Sequence, residues 1–261
     1  MYDFELTADV VVLGIGTAGI CAALAASDSG ASVIAVEKFG ASGGTGSIGL
    51  VTPLMHTHIP ENPDCSYISR EINTRLYDMG ASDGDRKNYF DPIAQSALLD
   101  QMLIERKVRV LYHSFVTGCE NSNGHIDGIL VSNASGNGVI RANKRYIDCT
   151  GDACVCRAAG LKTLHGDEIE HKNQPCSLRY ILSGIDTEAF WKYLCEMRGD
   201  PVTPRPENFD GAVSSAGLYD NSLKPLFKQA ISEGLLSEDD MVYWQFFTVP
   251  FQNPRFAPPR A

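Results

Sequence analysis

The chain has 261 residues, a formal net charge of -10 at pH 7 and eight cysteines, and its length suffices for one large domain or for a cofactor domain joined to a second one. No apolar run of about 18 residues and no basic segment leading into an apolar one occurs, so the sequence predicts a cytoplasmic protein without a membrane span or secretory signal. The acidic balance argues against a nucleic-acid partner, because phosphate backbones are bound by basic patches.

The N-terminal segment has the order strand, glycine turn, helix, strand and acid. Its apolar run Val10–Leu13 is typical of a parallel strand buried on both faces, and Gly14, Gly16 and Gly19 follow in Gly-x-Gly-x-x-Gly spacing. The first glycine allows a tight turn, the second lets backbone approach a pyrophosphate, and the third lets the next helix pack against the sheet. This pattern predicts a dinucleotide-binding unit.

The later part of this unit supplies the expected contacts to the dinucleotide. The helix begins near Thr17 and Ala18, where unpaired N–H groups and the helix dipole favour a phosphate. After a second apolar strand, Val33–Val36, Glu37 stands where a carboxylate accepts hydrogen bonds from ribose hydroxyls. Strand, small-residue helix, second strand and acid all fall at the required distances, which an ordinary glycine turn does not explain.

A second glycine-rich segment, 38–49, follows the acid directly, where a nicotinamide-binding unit normally proceeds to its next crossover. This order resembles the FAD-dependent oxidoreductases of the glutathione-reductase structural class, in which an acid, a basic residue and a Gly-Gly pair lead past the ADP ribose and pyrophosphate toward the flavin. The resemblance implies FAD as the cofactor. The cofactor contacts that it implies in this segment are Lys38, Gly43, Gly44, Thr45, Ser47 and Gly49. A flexible polar linker is the alternative interpretation.

The resemblance continues through a helix and several strands. An amphipathic helix, with apolar residues such as Ile93, Leu98 and Met102 at helical spacing, leads to a strand at 108–112. In the family these elements precede a backbone contact to adenine, which matches Val116 here. Three turn signals then predict a three-stranded antiparallel meander: Asn123-Gly124, Asp127-Gly128 and Asn137-Gly138.

The resemblance includes a second motif, at the point where the parallel sheet is expected to resume after the meander. The predicted strand Tyr146–Cys149 ends in Thr150, Gly151 and Asp152, which matches the second FAD motif of the family. The branch with an Ile-Asp-Ala-Thr-Gly-Asp segment is most similar, and a cysteine replaces its alanine here. The resemblance covers about residues 8–185.

The cysteines are scattered without a C-x-x-C pair, so reduced thiols and no metal site are expected. Cys154 and Cys156 open a predicted helix, a position at which low thiol pKa values occur. Because alternate positions on a helix point in different directions, a packing role is favoured over a functional thiol.

These patterns predict an α/β fold, in which a Rossmann-like FAD-binding domain combines a parallel sheet, helices and a three-stranded β-meander. We place this domain at residues 1–165 and a substrate or cap region, expected to be incomplete, at 166–261. Two aromatic helices are predicted in the latter, at 186–199 and 222–236. Family members return to the cofactor domain with a final strand and helix, and none is predicted here. An oligomer or a partner subunit is therefore expected.

The sequence predicts no separate nicotinamide-binding domain that could supply electrons to the flavin. No second Gly-x-Gly-x-x-Gly occurs between 160 and 261. The sequence therefore predicts an FAD-dependent oxidoreductase that transfers hydride or electrons between the flavin and a small-molecule organic substrate. Two alternatives stay open. One is a thiazole-synthase-like biosynthetic protein with a different glycine-rich loop and a nicotinamide dinucleotide as substrate, and the other is a noncatalytic flavin-binding electron-transfer subunit.

The catalytic residues are not defined by the sequence. His56 and His58 follow the glycine-rich segment and are candidates for proton transfer, a role that suits an imidazole. Arg179 is a candidate for binding a carboxylate substrate. For each of the three, a structural or solvent-exposed role is the alternative.

Overall fold

A computed structural model gives the fold of the protein. It describes residues 2–52, 67–82, 90–166, 169, 173, 179, 183–184, 186–198, 201–204, 214–216, 224–235 and 246–248. The chain divides into two compact units, Met1–Asn173 and Gln174–Ala261. The assignment of a substrate or cap role to the C-terminal region stays a prediction.

A six-stranded sheet forms the centre of the first unit, and its spatial order is β3-β2-β1-β6-β5-β4. The strands are β1 Phe4–Leu13, β2 Val33–Val36, β3 Arg109–Leu111, β4 Phe115–Ser122, β5 His125–Asn133 and β6 Gly136–Asp148. β3, β2, β1 and β6 pair in parallel, whereas β4, β5 and β6 pair antiparallel. The predicted Rossmann-like α/β fold with a three-stranded meander is confirmed.

Side chains of the parallel strands alternate between two cores. Val10 and Val12 point to one face of the sheet and pack with helices α1 Thr17–Asp28, α2 Tyr67–Asp78 and α3 Pro92–Glu105. Side chains of the other parity, such as Val11 and Leu13, pack with apolar residues of β5 and β6. Both faces of β1 are therefore covered, as the unbroken apolar run predicts. Sequence analysis did not predict α2.

Two of the three predicted turns of the meander are wrong. Asn123-Gly124 joins β4 to β5 with positive φ angles of 51° and 77°, but Gly128 lies inside β5 and Gly138 inside β6. A Cβ on Gly128 would lie 2.6 Å from Val139 Cγ2, and one on Gly138 would overlap the Phe4 ring. Each of these two glycines leaves room for a neighbouring side chain, and neither lies in a turn.

The strand predicted at 146–149 is not a separate element. It is the end of β6, a strand of 13 residues. β6 pairs with β5 through its first half and with β1 along most of its length. One continuous strand thus carries the chain from the meander back to the cofactor-binding edge of the sheet.

The second unit contains both predicted aromatic helices, α5 Thr187–Arg198 and α6 Lys224–Ser232. It also contains the antiparallel pair β7 Ser214–Ala216 and β8 Phe246–Thr248. Within the described ranges of the chain, no helix has the length and apolar character needed to cross a membrane.

Candidate cofactor site

The first and third glycines of the N-terminal turn are required by the fold itself. Gly14 has φ 84°, and a Cβ there would lie 2.6 Å from the carbonyl oxygen of Cys149. A Cβ on Gly19 would overlap the carbonyl oxygen of Gly14. Glycine at both positions therefore lets β1, the turn and α1 pack against the end of β6.

The second glycine, Gly16, is different because nothing in the described part of the chain demands it. Its φ of -68° suits any residue. Among the described residues, the one atom within 4 Å of a Cβ built there is the Cα of Gly44, at 3.8 Å, which is an ordinary contact. Open space of this kind beside the turn suits the close approach of a ligand.

The N-terminus of α1 has the features of an anion-binding site. Gly16 is its N-cap, no acidic residue lies in the first turn, and no side chain of the described residues caps it. Thr17 and Ala18 are exposed. The free N–H groups and the positive end of the helix dipole fit a pyrophosphate.

Glu37 lies at the carboxyl end of β2 with 5% of its surface exposed. Its Oε2 accepts a hydrogen bond from the Ile15 N–H at 2.9 Å, and its Oε1 accepts one from the Phe39 N–H at 2.9 Å. Its carbonyl oxygen also accepts from the Ser114 N–H at 2.9 Å. Each carboxylate oxygen keeps a lone pair for a ribose hydroxyl. Glu37 thus fits the predicted role and also joins three segments of the fold.

The second glycine-rich segment is held against the first. The Gly43 N–H donates to the Ile15 carbonyl at 2.9 Å. Gly43 and Gly44 have φ angles of 99° and 51°, and a Cβ on Gly44 would lie 2.8 Å from the Gly16 Cα. These contacts are specific, so the interpretation as a flexible linker is wrong. The segment lies across the N-terminus of α1.

Side chains in this segment have different roles. Thr45 is exposed in a short 3₁₀ helix, Gly44–Gly46, and its hydroxyl is free to meet a ligand. Ser47 is buried, and its hydroxyl donates to the Ser42 carbonyl. Gly49 is exposed, and a Cβ there would lie 2.8 Å from the Thr45 carbonyl oxygen. Of these candidates, Thr45 has the side chain best placed for a ligand.

A partly buried cluster that the sequence patterns did not predict fixes the start of the segment. Ser42 is fully buried, and its Oγ donates to Asp100 Oδ1 of α3 at 2.5 Å and lies 2.6 Å from the Tyr112 hydroxyl. The Tyr112 hydroxyl donates to the same Asp100 oxygen. Burial and then the hydrogen bond to Asp100 raise the pKa of Tyr112, so it stays a protonated donor. The cluster ties the segment to α3 and to the end of β3.

The third segment of the site, Thr150–Asp152, is shaped by Asp148. One carboxylate oxygen accepts from the Thr150 N–H at 3.0 Å and from its hydroxyl at 2.8 Å, and the other accepts from the N–H groups of Val155 and Cys156 at 3.0 Å. Burial raises the pKa of Asp148, but the donors of Cys156 and Thr150 outweigh it and hold the pKa below its usual range. Asp148 is therefore ionised and caps α4, Cys154–Ala158.

We expect Asp148→Ala to lower the free energy of unfolding by about 1–3 kcal/mol at pH 7, because it leaves several N–H groups without an acceptor. Since the pKa is depressed in the folded state, this contribution is complete above the unfolded-state pKa of about 3.9 and is lost as the pH falls through the folded-state value. Denaturant unfolding at pH 7 and near pH 3 measures the difference. The exposed Asp152→Ala is the control, with little change at either pH. A difference that grows on acidification would contradict the assignment.

The start of α4 does not activate the thiol of Cys156. Burial, and then the carboxylate of Asp148, raise the pKa of Cys156. Cys156 therefore stays a protonated thiol rather than a reactive thiolate.

The remaining candidates differ in where they lie. Lys38 Nζ is 3.9 Å from Asp152 Oδ2, a pair that joins the second and third segments but contributes little because both side chains are exposed. Val116 lies near the start of β4, two residues after the Ser114 N–H that bonds to the acid at the end of β2. Arg179 is half-buried in the second unit, and its catalytic role stays a prediction. His56 and His58 lie outside the described residues.

A Rossmann-like sheet with two glycine-rich segments and a buried acid at one edge defines a dinucleotide-binding protein. The chain matches the family described as FAD dependent oxidoreductase over residues 9–248. It therefore belongs to that family, and its cofactor is FAD. Gly16 and the uncapped α1 fit this cofactor. A comparison with curated proteins found no match.

Several solved structures are similar to parts of this chain. A geranylgeranyl bacteriochlorophyll reductase-like protein from Thermoplasma acidophilum is 20% identical with a TM-score of 0.46, over 61% of this chain and 43% of that one. A 3-ketosteroid-delta4-(5alpha)-dehydrogenase from Rhodococcus jostii is 18% identical with a TM-score of 0.42, over 57% of this chain and 46% of that one. THI4 from Thermovibrio ammonificans is 17% identical with a TM-score of 0.44, over 62% and 67% of the chains. The chain thus spans less than half of the first two structures, and the family match alone carries the assignment.

Proposed function

We propose that the protein transfers hydride or electrons between FAD and a small organic substrate. The observation that carries the proposal is the meeting of an uncapped α1 N-terminus, a glycine that the fold does not need and a buried carboxylate at one sheet edge. These three features suit the pyrophosphate and the ribose of a dinucleotide. The family match extends the proposal to flavin chemistry.

Different residues of the chain would bind different parts of the cofactor. Backbone N–H groups of Thr17 and Ala18 would bind the pyrophosphate, with the exposed hydroxyl of Thr45 opposite them. Glu37 would accept hydrogen bonds from the ribose, because its oxygens retain free lone pairs. Lys38 would lie beside the adenosine half.

The catalytic groups would act at the far end of the cofactor. When bound, the flavin supplies the hydride or electron transfer, and the protein orients the substrate and moves protons. We propose His56 or His58 as the proton-transfer group and Arg179 as the group that binds a carboxylate substrate. An arginine that binds a carboxylate would favour an organic acid as the substrate.

The colour of the purified full-length chain tests the cofactor part of the proposal. We expect a yellow protein that releases FAD on denaturation, and anaerobic bleaching of the flavin by one member of a library of small organic acids. Release of a nicotinamide dinucleotide in place of FAD would favour the thiazole-synthase-like alternative. A yellow protein that no substrate bleaches, but that a reduced electron carrier does, would favour the electron-transfer subunit. A colourless protein that does not bind added FAD would contradict the proposal.

A further inference from the structure

A cavity of about 390 Å³, widely open to solvent, lies between β4 and α4 in the first unit. Its walls are Val116, Thr117 and Gly118 on the strand side and Cys154, Arg157 and Ala158 on the helix side. The residues are small or apolar except for one cation. The volume is ample for a flat heterocycle the size of a purine.

The strand side of this cavity offers main-chain hydrogen-bonding groups. β4 is an outermost strand of the sheet and pairs with β5 alone among the described strands. Val116 is paired with Val131 and Gly118 with Leu130, so Thr117 is an extra residue without a cross-strand partner. A bulge on an edge strand leaves N–H and C=O groups available to a ligand. Such groups can form hydrogen bonds with the donors and acceptors along one edge of a base.

The helix side offers a free planar cation. Arg157 is exposed, and within the described part of the chain its guanidinium has neither a hydrogen-bonding nor an ion-pairing side-chain partner. The neighbouring Ala158 and Cys154 are too small to screen it. A guanidinium of this kind stacks on the face of an aromatic ring.

The cavity is within reach of the ribose-binding acid. The Ser114 N–H bonds to the Glu37 carbonyl at 2.9 Å, and Val116 follows two residues later, within about 8 Å along the chain. On the other wall, Asp152 before α4 lies 3.9 Å from the ammonium group of Lys38, the residue that follows this acid. A nucleoside whose ribose is bound by Glu37 would therefore have its base near this cavity.

We propose that Arg157 is a specificity-determining residue that covers the adenine ring of FAD in this cavity. This inference rests on the proposed function, because it assigns one end of the same cofactor. The family resemblance implies only a backbone contact near Val116. The stacking partner comes from the cavity and its free guanidinium.

Titrations of the full-length, flavin-stripped chain with FAD, ADP and FMN test the inference. Arg157→Ala is expected to weaken FAD and ADP binding about tenfold and to leave FMN binding unchanged, because FMN has no adenine. Arg157→Lys keeps the charge but not the plane, and should lose most of the same affinity. Arg145→Ala removes an exposed arginine of β6 outside the cavity and should change none of the three affinities.

The outcomes separate the two proposals. If the unaltered chain binds neither FAD nor ADP, the proposed function fails. If it binds FAD but Arg157→Ala binds FAD and ADP equally well, only the stacking role fails. Full affinity in Arg157→Lys would show that the charge acts on phosphate, which would also overturn the adenine assignment. An equal loss for FMN would overturn it too, because the variant would then have lost the site as a whole.

Discussion

Gly16→Ser is expected to reduce FAD affinity at least about 100-fold, or about 2.7 kcal/mol, without weakening the fold. Serine suits the N-cap position and the φ of -68°, and its Cβ meets only an ordinary contact in the described chain. The same Cβ would stand where the pyrophosphate approaches the turn, and the hydroxyl would compete for the free N–H groups of α1. Flavin fluorescence titration and denaturant unfolding without flavin measure the two effects separately.

Gly19→Ala is the matched control for this prediction. It adds the smallest side chain, but that side chain would overlap the Gly14 carbonyl oxygen. We expect it to lower the free energy of unfolding by at least about 1–3 kcal/mol, as overpacking does. If Gly16→Ser retains full flavin occupancy, the pyrophosphate lies elsewhere. If Gly16→Ser is destabilised as much as Gly19→Ala, the glycine serves the fold rather than the ligand.

Glu37→Ala is expected to lower FAD affinity at least tenfold and also to destabilise the flavin-free protein by about 2–6 kcal/mol. The binding loss follows from charge-assisted hydrogen bonds to the ribose, each of which contributes about 1.5–3 kcal/mol. The stability loss follows from the N–H groups of Ile15 and Phe39, which would lose their acceptors beside a buried site. Equilibrium unfolding at several FAD concentrations gives both quantities, because bound ligand adds stability in proportion to the logarithm of its concentration.

An exposed acid provides the comparison for Glu37. Glu105→Ala removes a carboxylate at the end of α3 that pairs with Arg75, and it should leave FAD affinity unchanged. An unchanged flavin dissociation constant in Glu37→Ala would remove the acid from the ribose site. Reduced affinity with unchanged stability would show that its two main-chain hydrogen bonds contribute little.

Local patterns sufficed where each structural requirement lies within one segment. The run Val10–Leu13 and the glycines after it predict strand, turn and helix correctly. The spacing of apolar residues and of glycines reflects contacts between residues that are near neighbours along the chain. The helical spacing of α3 was also correct, but its buried face was not fully so. Ile93 is 73% exposed, whereas Gln95 is 5% exposed. The orientation of a helix depends on what packs against it, and no local pattern records that.

By itself the sequence determined the fold class and the order of first strand, glycine turn, helix and second strand, since these patterns lie between residues close along the chain. Only the tertiary structure decided that Ser42, Asp100 and Tyr112 share one hydrogen-bonded cluster, because partners so far apart in sequence leave no local signal. The same holds for Gly138, whose glycine is explained by the ring of Phe4 and not by a turn. Which atoms a side chain meets depends on how distant strands pair, and register is set by the packing of the whole sheet.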